Sequence, residues 1–165
     1  MERLWSPWRS QYISSIKDAG DGECVFCSAL TAADDKGRYI VHRGETGFII
    51  MTLYPYNNGH LLIIPNRHVA NLFELGADER LDLMDLSAFG IAMLREAMGP
   101  HGINLGANMG RVAGAGIEDH IHLHIVPRWN GDTNFMPVLA DTKMISEGMD
   151  TTYARLVDAR ARLLG

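Results

Sequence analysis

The sequence predicts an α+β domain with a five-stranded, mostly antiparallel sheet, one long helix and a second helix at the C-terminus. Three observations lead there. Short apolar runs between residues 38 and 65 are punctuated by turn residues at strand spacing. The apolar period changes to alternating threes and fours between Asp78 and Met98. In "DHIHLHIVPRW", Asp119 to Trp129, histidines alternate with aliphatic residues.

"RYIVHRG" and "TGFIIMTL" read as two strands joined by a turn from Gly44 to Gly47. "YPYNNG" is a loop by its Pro, Asn and Gly content, and "HLLIIP" is a third strand that Pro65 ends. Leu83, Leu86, Gly90, Met93 and Ala97 mark one face of an amphipathic helix over Asp78 to Met98. Gly99-Pro100 stops that helix, which should lie across the sheet. "INLGANMG" is a fourth strand, "RVAGAG" a glycine-rich loop and the histidine segment a fifth strand. "YARLVDARARLL" reads as a surface helix, and "CVFC" as a short turn or helix start.

A chain of 165 residues without an internal repeat fits one domain, 1–165, large enough to bury a core without disulfides. Net charge is −5 and no long run of Lys or Arg occurs, which argues against nucleic-acid or anionic-membrane partners. The opening "MERLWSPWRSQYIS" lacks the apolar stretch of a signal peptide, so a cytoplasmic location is expected. In that reducing setting the only two cysteines, Cys24 and Cys27, point to metal or redox chemistry before a disulfide.

Five of the seven histidines fall in two groups: His60 and His68 around "GHLLIIPNRH", and His120, His122 and His124. On a helix the latter three would spread over about 400° of arc. On a strand they share one face, where burying imidazoles has a desolvation cost that calls for a role. His120 and His124 would lie about 13 Å apart, too far to converge on one ion at about 2 Å. A division of labour follows. Cys24, Cys27, His68 and His120 make a Cys₂His₂ set suited to tetrahedral zinc, closed and therefore structural; a redox pair and two inert cysteines are the alternatives.

His122 is then a candidate nucleophile, because imidazole is largely neutral at pH 7. Just upstream, Asn108 to Gly116 carries Gly110, Gly114 and Gly116, which allow backbone N–H groups to approach an anion. A phosphate cradle beside a nucleophile points to attack on phosphorus. Arg111 and Arg128 are candidate anion holders, with solvated surface arginines as the alternative.

"HIHLHIV" resembles the histidine triad (HIT) pattern, His-φ-His-φ-His-φ-φ with φ hydrophobic, and "NNGHLLIIPNRHV" resembles that family's upstream block. With the Cys pair and "VPRWNGDTNF", the similarity runs from about Cys24 to Phe135. It is strongest to the bacterial branch of diadenosine-polyphosphate hydrolases and phosphorylases, where an opening like "RLWSPWRSQYI" recurs. The segments of about 1–23 and 136–165 are then family-variable extensions.

The resemblance implies a HIT-like fold and a homodimer or higher homo-oligomer, with two five-stranded sheets joined into one of ten strands. It implies a small-molecule nucleotide substrate attacked at the α-phosphate, such as diadenosine tetraphosphate. His122 becomes nucleotidylated, His124 contacts the scissile phosphate region and His60 supports the nucleophile. The implied nucleotide-binding set is Asn108, Gly114, Ala115, Gly116, Thr52, Phe26 and Trp129. The positions matching Cys24, Cys27, His68 and His120 hold zinc, and no metal is required for the chemistry. Thr52 stands where relatives commonly carry Asp or Asn for the ribose. Gly116-Ile117 stands where some carry Gln followed by Ser or Thr, which shifts phosphate binding onto backbone N–H groups and Asn108. The alternatives are a phosphoramidate-type nucleotide hydrolase, a non-catalytic nucleotide-binding regulatory module, and an enzyme using the histidines as an open catalytic metal site.

Overall fold

In a computed structural model, residues 24–133 and 145–165 are described. The opening segment 1–23 lies outside them, as do residues 134–144, including the end of "VPRWNGDTNF". Helix α1 spans Val25–Thr31, α2 Ala77–Met98 and α3 Met149–Leu164. The strands are β1 Ile40–Arg43, β2 Gly47–Met51, β3 Leu61–Pro65, β4 Gly102–Ala107 and β5 Leu123–Arg128. The sheet order is β1-β2-β3-β5-β4. Each adjacent pair is antiparallel.

Every residue of β2 and β3 is buried, which explains why "GFIIM" and "LLIIP" are apolar runs instead of alternating patterns. Their side chains still alternate between two covers. Ile49, Met51, Leu61 and Ile63 join Leu83, Leu86, Met93 and Leu94 of α2 and Leu156 of α3. Phe48, Ile50, Leu62 and Ile64 join Phe26 and Ala29 of α1 on the other side. The helix face expected from the spacing of threes and fours is the buried one, with Ser87 and Leu94 added and Ala97 only partly buried. At Gly90 the helix comes so close that a Cβ would stand 3.0 Å from Ile125 Cδ1. Gly99 ends α2 in the left-handed conformation at φ 57°, as its place before Pro100 suggested.

Three boundaries differ from the sequence reading. The ladder of β5 begins at Leu123, so His120 and His122 precede it, held by an Ile121 N–H bond to the Val69 carbonyl at 2.7 Å. His120, Ile121 and His122 are all buried, so the alternation separates two covered faces instead of a wet and a dry one. The C-terminal helix starts at Met149, not Tyr153, and is more than a surface element: Leu156 and Ala159 are buried. It also closes the β1 edge, since the Tyr153 hydroxyl donates to the Ile40 carbonyl at 3.1 Å and Arg160 to that of Val41 at 2.6 Å. Strand β4, at the opposite edge, is shorter than expected and mostly exposed.

The extent of α1 positions the site. Its seven residues cover one face of the sheet only as far as Phe26 against His122. Beyond it, β5 alternates cleanly, with His124, Val126 and Arg128 less buried than their neighbours. Among the described residues, a strip of β5 and β4 remains uncovered.

Candidate active site and metal-binding cluster

His122 lies under Phe26, ring centroids 5.1 Å apart, and beside His124 at 4.9 Å. Its Nδ1 is 2.8 Å from the His120 carbonyl oxygen. A carbonyl only accepts, so Nδ1 carries the hydrogen and Nε2 keeps its lone pair, a tautomer assigned from the partner. Burial pushes the His122 pKa down against the opposing pull of that carbonyl. The ring is therefore held neutral, with its lone pair on Nε2.

His60 enters through a turn at Gly59, φ 75°, where a Cβ would stand 2.6 Å from Met98 Sδ. The backbone N–H of Tyr56 donates to His60 Nδ1 at 3.1 Å, and His60 Nε2 is 3.0 Å from His124 Nδ1. The bonds define a direction: His60 donates from Nε2 to His124 Nδ1, so the hydrogen of His124 sits on its own Nε2. Burial, then the neighbouring His124 and His122, push the His60 pKa down to about 3. The bond of His60 goes to His124, so any support it lends His122 passes through that ring. The Tyr56 ring stacks on His124 at 5.8 Å and 18°.

A cavity of about 450 Å³, within the range that small ligands occupy, opens on the strip α1 leaves bare. Its walls include Tyr56, Asn57, Asn104, Asn108, His124 and Arg128. Of the residues singled out from sequence, it gathers Asn108, His124 and Arg128. Thr52, Phe26 and Trp129 lie outside its lining, as do His60, His122, Gly114, Ala115 and Gly116. Thr52 Oγ1 accepts the Tyr54 N–H, Phe26 is buried against His120 and His122, and the Trp129 N–H donates to Asp132.

The glycine-rich loop is more self-contained than its composition suggests. Gly110 and Gly114 take positive φ, 80° and 94°, around a 3₁₀ turn over Arg111–Ala113. The N–H groups of Ala113 and Ala115 bond to the Gly110 carbonyl and that of Gly114 to the Arg111 carbonyl. Among the described residues, the amides of Gly116 and Ile117 are not taken up by the loop's own backbone hydrogen bonds. Arg111 is paired with Glu118 at 2.6 Å.

Sequence reasoning passed over Asn57, Asn104 and Asp132. Asp132 takes Arg128 through two bonds, Nε to Oδ2 at 2.6 Å and Nη2 to Oδ1 at 3.0 Å. Asn57 Nδ2 donates to Asp132 Oδ2 at 2.8 Å and to the Pro127 carbonyl at 2.9 Å. The i,i+4 spacing of Arg128 and Asp132 was a readable signal; the asparagines, distant in sequence, offered none.

Cys24, Cys27, His68 and His120 do come together, with ligand atoms all within 4.8 Å of one another. His120 Nδ1 is 3.4 Å from Cys24 Sγ and 3.7 Å from Cys27 Sγ, and His68 Nδ1 is 3.3 Å from Cys27 Sγ. A tetrahedral Cys₂His₂ zinc site has edges of roughly 3.3–3.8 Å from its bond lengths; these three separations match, while the 4.8 Å span of the whole set is wider than such an edge. His120 Nε2 lies 2.9 Å from the Pro65 carbonyl, which fixes the hydrogen there and leaves Nδ1 facing the sulfurs as a ligand.

Residues 36–131 match the HIT domain. The AP-4-A phosphorylase of Mycobacterium tuberculosis is 33% identical over 168 residues, covering 98% of this chain and 86% of that protein. The adenosine 5'-monophosphoramidase of Schizosaccharomyces pombe is 32% identical over 110 residues, covering 65% of this chain and 75% of the relative. A zinc-bound histidine triad family protein from Mycobacterium smegmatis superposes with a TM-score of 0.69 at 26% identity, covering 87% of this chain and 97% of that one. With the triad, the five-stranded sheet and the matched domain in agreement, the chain belongs to the HIT family.

Proposed function

We propose that this HIT-family enzyme of nucleotide hydrolysis or transfer acts on a dinucleoside polyphosphate such as diadenosine tetraphosphate, through a covalent nucleotidyl-histidine. The observation that carries the reading is the 2.8 Å contact of His122 Nδ1 with the His120 carbonyl, which assigns the tautomer. With Nδ1–H bound to the His120 carbonyl, Nε2 is the free base that attacks the α-phosphorus. The Nε2–P bond forms as the bond from phosphorus to the bridging oxygen breaks, and the electron pair leaves with the departing nucleotide. Asn108 and the amides of Gly116 and Ile117 hold the phosphoryl oxygens. His124, its hydrogen on Nε2, directs that N–H toward the leaving oxygen, and the bond from His60 to its Nδ1 fixes the tautomer and the ring's orientation.

The acceptor is inorganic phosphate, which releases the nucleoside diphosphate; the relative named AP-4-A phosphorylase supports this choice over water. Zinc on Cys24, Cys27, His68 and His120 would clamp α1 to the entry of β5 as a structural ion, with no part in the chemistry. The zinc-bound structural relative supports that assignment. A homodimer paired along β4, an edge strand among the described residues, in the cytoplasm, completes the reading. No helix among the described residues is long and apolar enough to cross a membrane.

The test is the product of diadenosine tetraphosphate cleavage as phosphate is titrated. ADP plus ATP rising with phosphate supports phosphorolysis. AMP plus ATP at every phosphate concentration makes the protein a hydrolase, and turnover of adenosine phosphoramidate alone would favour the second reading, which the fission-yeast relative motivates.

A further inference from the structure

We infer that Arg128, locked in place by Asp132 and Asn104, is the polyphosphate-binding residue of this site: it holds the distal phosphates of the leaving nucleotide and then the incoming acceptor. The inference rests on the proposed dinucleoside polyphosphate chemistry. His120, His122, His124, Val126 and Arg128 succeed one another along one face of the chain. The cavity is lined at its near end by His124 and at its far end by Arg128, about 13 Å further along the strand. That span suits an extended phosphate chain better than a single phosphate, and it leads away from His122. A displacement at phosphorus expels its leaving group on the side away from the nucleophile. In a two-step transfer the acceptor enters where the first product left, so one anion holder serves both steps.

The hydrogen bonds of Arg128 define what it can still bind. A guanidinium has five N–H donors. Nε and one N–H of Nη2 go to Asp132, and one N–H of Nη1 goes to Asn104 at 3.1 Å. One N–H remains on each terminal nitrogen, two donors that phosphate oxygens can take. The Asp132 side chain is only 8% exposed, its oxygens are taken by the half-exposed Arg128 and the buried Asn57, and it is absent from the cavity lining. Asp132 and Asn104 are thus positioning residues. The Arg128–Asp132 pair is neutral overall, so preference for a polyphosphate comes from directed donors more than from net charge.

The experiment compares Arg128→Gln with the native chain on two substrates and two ligands. For turnover, kcat/KM should fall at least about tenfold more for diadenosine tetraphosphate than for adenosine phosphoramidate, whose leaving group is ammonia. Equal losses on both substrates, or none on either, overturn the assignment. For binding, adenosine 5'-tetraphosphate should bind the native chain at least about tenfold more tightly than AMP, and the advantage should vanish in Arg128→Gln. Equal affinities in the native chain overturn the subsite even if the variant does not fold. If the native chain does not cleave diadenosine tetraphosphate, the proposed function fails, and the binding comparison still decides the role of Arg128.

Discussion

His60 Nε2 stands 3.0 Å from His124 Nδ1, joining residues 64 positions apart across the β3–β5 pairing. Both rings must be neutral for this bond to run in the direction the Tyr56 N–H imposes. The cost of charging His60 appears as its pKa of about 3, against an ordinary value of 6.5. Between those two values the unfolded chain binds a proton at this site that the folded chain refuses. Stability is therefore fully present above pH 6.5 and declines as pH falls toward 3, by up to about 1.4 kcal/mol per pH unit from this group. Urea midpoints measured from pH 7.5 to 5 should show that decline, and His60→Gln should flatten it. Equal slopes in the two proteins would mean that His60 is not held neutral.

His122→Asn should keep nucleotide binding and lose turnover by several orders of magnitude, since the cavity walls stay while the attacking nitrogen goes. In the unmodified protein, denaturing during turnover should trap a nucleotidyl group on His122, visible by peptide mass spectrometry. Near-normal kcat in His122→Asn would remove the covalent route.

Much of this was legible in the sequence, for physical reasons that differ by element. The apolar runs of β2 and β3 announce strands covered on both faces, and α2 is long enough for its period to declare the buried face. The helix α1 is too short for a period, and its two buried residues are Phe26 and Ala29. The first turn of α3 is written in polar residues, Asp150 to Thr152, which reveal nothing until Thr152 is seen bonded to Glu147 and Asn58. The clustering of Cys24, Cys27, His68 and His120 was recoverable because Cys-x-x-Cys is local and the triad marks His120. The cavity was not, because it is a place α1 fails to cover, and the sequence does not reveal where a short helix stops protecting a sheet.

Gly90 sets two effects against each other. Replacing it with Ala gains helix propensity worth about 1 kcal/mol, while the new Cβ meets Ile125 Cδ1 at 3.0 Å. A flexible δ-methyl can give way, so Gly90→Ala should change stability little. Gly90→Val adds two branches at the contact with Ile125, Ile63 and Ile49 and should cost about 1–3 kcal/mol or more. Urea unfolding of both variants checks this; an equally stable Val variant would mean that α2 stands farther from the sheet.

The Cys₂His₂ cluster touches His122 through a single residue, and this shapes what losing one of its side chains should do. His120 offers Nδ1 to the sulfurs and its backbone carbonyl to His122 Nδ1. Purified without chelator, the protein should carry one zinc per chain. Cys24→Ser should lower metal affinity and the melting temperature, because binding to the folded ligand set contributes directly to folding. Activity measured below the lowered melting temperature should fall only modestly, since the bond that orients His122 comes from the backbone, whereas His122→Asn removes the reacting atom. The two losses therefore separate: a large drop in stability with a small drop in kcat for Cys24→Ser, and the reverse for His122→Asn. If chelation abolishes turnover while the melting temperature holds, and zinc restores it, the ion is catalytic and the structural assignment is wrong. If no zinc accompanies the protein, the four side chains are joined by sulfur–imidazole hydrogen bonds alone, and Cys24→Ser should then leave both measurements close to the native values.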